Sequence, residues 1–206
     1  MQPAAFGVQM HSGWGVLVAI SLDPLELLVR RRMVTADPEI PGAIQPYHFA
    51  AQLEHAQQQK HLSHCAVSSC TLAVSAIGEV MSELNQRHYG IAGAAVLFAA
   101  GRPLPALEKI LSAHPLIHTA EGEFFRQTAV KAFHGLQIAV SSIRERELDE
   151  QAKALFGNRA TRVQAAISNL GTSVGPPWTR DHKTAALAAA LILAASEQGV
   201  SRSFNQ

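Results

Sequence analysis

The feature that most constrains this chain is an uninterrupted apolar run at residues 90–100 (GIAGAAVLFAA), which contains no polar side chain. A half-exposed strand alternates apolar with polar residues, whereas a short continuous run bounded by turn residues fits a strand covered on both faces. Such a strand needs helices on each side of its sheet, which makes the chain α/β. Directly after it come a glycine-proline turn at 101–105 (GRPLP), a short helix, and a polar cluster holding His114, His118, Glu121 and Glu123 within ten residues.

Size and composition agree with a compact sheet protein. At 206 residues, with 48% hydrophobic and 16% charged, the chain has apolar material for one sizeable core, and we read residues 1–206 as a single domain. The net charge of +1 gives no bulk attraction to nucleic acid, so any such binding has to be local. Cys65 and Cys70 fall five residues apart in a helical segment, on different faces, which predicts reduced thiols and a cytoplasmic protein. The most apolar late stretch, 184–195, is too short to cross a bilayer, so no membrane association is expected.

Ahead of the apolar run, residues 5–11 (AFGVQMH) and 14–20 (WGVLVAI) read as strands joined by Ser12-Gly13, and 25–35 (LELLVRRRMVT) as a third. Connections this short force an antiparallel meander. Alternation puts at least one of Arg30, Arg31 and Arg32 on each sheet face, either as a solvated strand end or as a patch facing phosphate or carboxylate. Prolines 38, 41 and 46 then interrupt regular structure. From about Tyr47 apolar residues recur at helical spacing through Leu84, predicting a long helix with a break near Ser63 or Ser68. Its histidines, His48, His55, His61 and His64, read as polar-face residues, since no second cluster nearby completes a tetrahedral metal set. Beyond the apolar run we expect a helix at 120–133, a last strand at 136–143, and helices at 148–156, 161–170 and 179–197. Trp178 is placed to fold back over the start of that final helix as a hydrophobic staple.

This order of elements resembles the ribonuclease H-like superfamily and, within it, the Holliday-junction resolvase branch. The resemblance covers most of the chain in topology and implies a ribonuclease H-like, five-stranded mixed sheet, a three-strand antiparallel meander plus two parallel strands, flanked by helices. It also implies carboxylates converging from the first strand, the end of the fourth and the start of the last helix, where they hold divalent metals for phosphodiester hydrolysis. Asp181, in TRDHKTAALAAALIL, stands at the last of these positions. On the first strand His11 ends VQMH where an acid is expected, and the fourth strand ends in Phe98-Ala-Ala-Gly101, again without one.

The polar cluster is the candidate replacement. His114 and His118 are four apart and Glu121 follows three later, a spacing that shares one helical face. With Asp181 these form a candidate set for a divalent metal, Mg, Mn or Zn. The competing reading makes Thr119 a helix cap, with Glu121 and Glu123 in the first turn opposing the helix dipole. His11, Glu121 and Asp181 are the catalytic candidates, and Arg102 and Arg126 the candidates for stabilising phosphate charge. Two functions follow: a divergent metal-dependent phosphodiester hydrolase of nuclease type, or a non-catalytic ribonuclease H-like binding module with a degenerate active site. The expected partner is nucleic acid or a phosphorylated small ligand.

Overall fold

The computed structural model describes residues 1–99 and 103–199. Its strands are β1 (Gln2–His11), β2 (Trp14–Leu22), β3 (Leu25–Val34), β4 (Tyr89–Phe98) and β5 (Val140–Arg144), in one sheet of order β3-β2-β1-β4-β5. The first three pair antiparallel, while β4 runs parallel to β1 and β5 parallel to β4, so the sheet is mixed as expected. Gly13, at φ 78°, supplies the left-handed residue that the two-residue β1–β2 turn requires, and His11 pairs with Trp14 across it.

The helices are α1 (Pro46–Ala50), α2 (His55–Gln86), α3 (Leu107–Leu111), α4 (His114–Gly135), α5 (Leu148–Phe156), α6 (Ala160–Val174) and α7 (Arg180–Glu197). They form a layer on each side of the sheet. Phe6, Val8, Leu17 and Val96 pack with Ile77 and Leu84 of α2 and Phe125 and Phe133 of α4. On the other face Ala5, Val18, Ala95 and Leu97 pack with α5, α6 and the alanines of α7. The apolar run therefore serves two cores at once, which is why no polar side chain interrupts it.

The alanine-rich sequence of α7 allows a very close approach to β1. A Cβ placed on Gly7 would lie 1.8 Å from the carbonyl oxygen of Ala185, so only glycine fits at that crossing. Asp181 lies one helical turn before Ala185, and this near-contact brings it to the carboxyl end of β1.

Several boundaries differ from the sequence-based expectation. The predicted helix break near Ser63 or Ser68 is absent; the interruption comes at residues 51–54, and α2 runs unbroken from His55. α4 begins at His114, with Pro115 in the first turn where a missing N–H costs nothing. Thr119 is consequently inside the helix, donating its hydroxyl to the carbonyl of Pro115, and is not the predicted cap. The strand expected from 136 starts at Val140, because Leu136 closes α4 and Gln137 takes a left-handed conformation at φ 59°. α2 also contains a stretch apolar and long enough by composition to cross a bilayer, but Ala73, Ile77, Val80 and Leu84 on it are buried against the sheet.

The arginine row is divided between the faces. Arg31 meets Glu79 and Glu83 of α2, each at 3.3 Å. Arg30 points to the other side and donates to the carbonyls of Gly175 and Pro177, tying the α6–α7 connection to the sheet. Trp178 packs over Gly171 and donates its indole N–H to the carbonyl of Ile167 at 3.0 Å, so it clamps α6 as well as lying 5.6 Å from the His182 ring of α7.

Gly7→Ala should destabilise the fold by about 3 kcal/mol, the upper end of ordinary overpacking, because backbone and not a side chain has to move. Gly78, in α2, has nothing within 4 Å of its would-be Cβ, so Gly78→Ala should gain about 0.5–1 kcal/mol from helix propensity. Thermal unfolding of the two variants measures both, with opposite signs expected.

Candidate functional site

At the carboxyl end of β1 the structure brings His11 to Asp181. The imidazole Nε2–H donates to Asp181 Oδ2 at 3.0 Å, a proton assignment forced by the carboxylate, which only accepts. Both side chains are about one-third exposed. His11 also stacks on Trp14, ring centroids 4.3 Å apart and planes within 17°. From the β3 side the Arg32 guanidinium lies 3.8 Å over the same indole. Trp14 is thus held between His11 and Arg32, and with Val16, Arg30, Asp181 and His182 it lines a cleft of about 450 Å³, room for one nucleotide-sized group.

The second cluster lies on the other side of the sheet, where α1 meets the start of α4. Because the chain breaks after α1, His48 is carried to the helix bearing His114 and His118. The rings of His48 and His118 are 4.8 Å apart and those of His114 and His118 4.4 Å, and one ligating nitrogen from each lies within 4.8 Å of the others. Glu121 is 2% exposed, below this triad. Its Oε1 accepts the backbone N–H of His48 at 3.1 Å and lies 3.0 Å from His48 Nδ1. The ring contact is off the line of N–H donation, so it is a close contact rather than an aligned hydrogen bond. Burial first, and the Glu121 carboxylate second, push the Tyr47 phenol above its usual range.

The expected set of His114, His118, Glu121 and Asp181 is therefore not brought together as one cluster. His114, His118 and Glu121 belong to α4, on one face of the sheet, while Asp181 and His11 belong to the α7 face. The reading of His48 as an ordinary polar-face residue also changes, since its ring packs against His114 and His118. Arg126 lies over the Phe98 ring at 5.6 Å and beside Glu123, and its side chain is only 15% exposed, which places it against the α4 face of β4 rather than in the cleft. Arg102 lies outside the described residues. Trp14, His48 and His182 were missed as site residues, while Arg32 belongs to the arginine row read as either a solvated strand end or a phosphate-facing patch; Trp14 and Arg32 are neighbours only through strand register, and His48 is separated from His118 by seventy residues of chain.

A pair of divalent metals does not fit the cleft. Holding two cations takes several free carboxylates. Here Asp181 is already paired with His11, and Glu145, at the end of β5, is paired with Arg180 at 2.6 Å. Arg30 and Arg32 add positive charge to the same walls.

The start of α7 is closed by Thr179 and His182. Thr179 donates its backbone N–H at 3.2 Å to His182 Nδ1, which must be unprotonated to accept it, and the Thr179 hydroxyl lies 2.8 Å from the same nitrogen. Burial first, then the charge of Arg30, hold the imidazolium below its usual pKa, with Asp181 opposing. The folded state thus binds its proton at lower pH than the unfolded chain. The cap's contribution is present above about pH 6.5 and is lost as pH falls through the lowered folded value. His182→Asn, which cannot titrate there, should flatten the loss of stability between about pH 7 and 5 in denaturant unfolding series.

Comparison with known proteins adds the fold relationship. No family model and no curated protein sequence matches the chain. Among solved structures it is similar to T. thermophilus RuvC in complex with Holliday junction substrate, at 11% identity and a TM-score of 0.54, covering 96% of this chain and 97% of that one. A second Thermus thermophilus RuvC structure is similar at 12% identity and a TM-score of 0.49, with the same coverage. With the sheet order β3-β2-β1-β4-β5 and helices on both faces, the chain has the RuvC-like ribonuclease H fold.

Proposed function

We propose that this chain is a ribonuclease H-like nucleic-acid-binding module whose cleft holds a phosphodiester backbone without metal-dependent cleavage. One observation carries the reading: Asp181, the carboxylate at the cleft, is hydrogen-bonded to His11, while the Arg32 guanidinium lies 3.8 Å over the Trp14 ring and makes no ion pair among the described residues. A guanidinium stacked on an indole is pre-oriented and still presents its N–H edge, the geometry that suits phosphate oxygens. His11 stacks on the same ring and holds it in place. The fold's likeness to a protein solved with a Holliday junction substrate supports branched DNA as the first ligand to try. The free thiols Cys65 and Cys70 suit the reducing cytoplasm.

The chemistry expected of the chain's own groups is binding and positioning. Arg32 meets a non-bridging phosphate oxygen, Asp181 fixes the His11 ring, and Thr179 with His182 holds the first turn of α7 in place. The hydrolase reading needs carboxylates free to take up metal, and Asp181 and Glu145 are paired instead.

Fluorescence anisotropy with labelled four-way-junction and duplex DNA tests this. Binding should weaken linearly with the logarithm of salt, and Arg32→Gln should weaken it and reduce the slope by about 1. The same mixtures with Mg²⁺ or Mn²⁺ should show no strand cleavage. Cleavage that disappears in Asp181→Ala would establish the hydrolase instead, and absence of binding at low salt would sink both readings.

A further inference from the structure

We infer that His48, His114 and His118 form a zinc site, separate from the cleft, that fastens α1 to the start of α4 and leaves a fourth coordination position open to solvent. The three ligating nitrogens already lie within 4.8 Å of one another. Zinc binds imidazole nitrogen at about 2.0–2.1 Å, which sets two ligands of a tetrahedral ion about 3.4 Å apart. The remaining approach is small, and His114 and His118 are exposed side chains on one helical face, free to turn their rings inward. His48 is the less exposed member, and its donor set is fixed from behind.

That fixation is what distinguishes the cluster from a chance grouping of surface histidines. Glu121 is a buried carboxylate that grips the His48 backbone N–H and touches His48 Nδ1. A turn of the His48 ring that aligns Nδ1–H with the carboxylate 3.0 Å away would present its other nitrogen to a metal, the arrangement found behind metal-bound imidazoles. It also gives a reason for a charged side chain that is 2% exposed in an otherwise apolar helix face.

The donor set favours a transition metal such as zinc over the hard cations. Three neutral nitrogens suit zinc, whereas magnesium and calcium take oxygen ligands, and the carboxylate here sits behind a ligand rather than facing the ion. With three protein ligands the fourth position is available to water or an exogenous donor, as in zinc sites that do chemistry. The other histidines of this region do not compete: His61 turns to Cys65 at 3.4 Å and packs on Phe49.

The test uses the full chain without a histidine tag, stripped with chelator and titrated calorimetrically with Zn²⁺ in a non-coordinating buffer. One equivalent should bind, Mg²⁺ should not, and Zn²⁺ should raise the melting temperature because it binds only the folded arrangement. Co²⁺ in its place should give the strong visible absorption of a tetrahedral site. His118→Ala and His114→Ala, both exposed and harmless to folding, should remove the absorption and the thermal shift. Glu121→Gln should weaken Zn²⁺ binding about 10- to 100-fold. Arg32→Gln and Asp181→Ala should both leave Zn²⁺ binding intact, so loss of the DNA-binding function in Arg32→Gln and loss of this site can be told apart. Unchanged Zn²⁺ affinity in His118→Ala, more than one weak equivalent, or dependence on Asp181 would overturn the assignment.

Discussion

The crossing of α7 over β1 at Gly7 is the contact on which the arrangement depends. Helices normally stand about a side chain's depth off a sheet, but here the Ala185 carbonyl sits where a Cβ of residue 7 would be. That approach needs glycine on the strand and alanine on the helix, and Ala185, Ala186, Ala188, Ala189 and Ala190 are all fully buried. Dispersion and area burial per residue are small for alanine, so the helix is secured by number of contacts and by its ends. Thr179 and His182 fix its first turn, and Arg30 fixes the chain that leads into it. The position of Asp181 against His11 is the outcome of all three.

This geometry also decides the chemistry at the sheet's carboxyl end. In a low-dielectric cleft an unpaired carboxylate attracts cations strongly, but a carboxylate already matched with an imidazole and faced by two guanidiniums does not. The cleft that remains has a guanidinium spread on an aromatic ring and little negative charge left uncompensated. Such a surface suits the phosphate binding proposed for it. The three histidines on the opposite layer share neither the cleft nor its charge, and their donors are of a different kind, so the two proposed sites are separate.

The sequence carried the architecture further than it carried the sites. The meander was legible because two-residue turns leave no other pairing, and β4 was legible because no polar residue breaks its run. The end of α1 was not, since residues 51–54 (AQLE) contain neither glycine nor proline and pass for helix. That single break is what sends His48 toward α4. Likewise the 136–138 run (LQI) has strand composition, yet Ile138 packs in the α2–α4 core after a left-handed turn at Gln137. Asp181 and His11 could be paired in advance because the resemblance places the last helix beside the first strand. Arg32 over Trp14 could not, since it depends on the register of β2 against β3, in which Val16 and not Trp14 is opposite Arg32.

The cleft lined by Trp14 and Asp181 is proposed to receive phosphate rather than divalent metal. The indole N–H of Trp14, distinguished from that of Trp178 by a Trp178→Phe variant, reports on the cleft directly in nuclear magnetic resonance. On titration with Mn²⁺ alone that resonance should keep its width, and on titration with a short oligonucleotide in the absence of metal it should shift. Broadening by Mn²⁺ before any oligonucleotide is added, abolished by Asp181→Ala, would contradict the account.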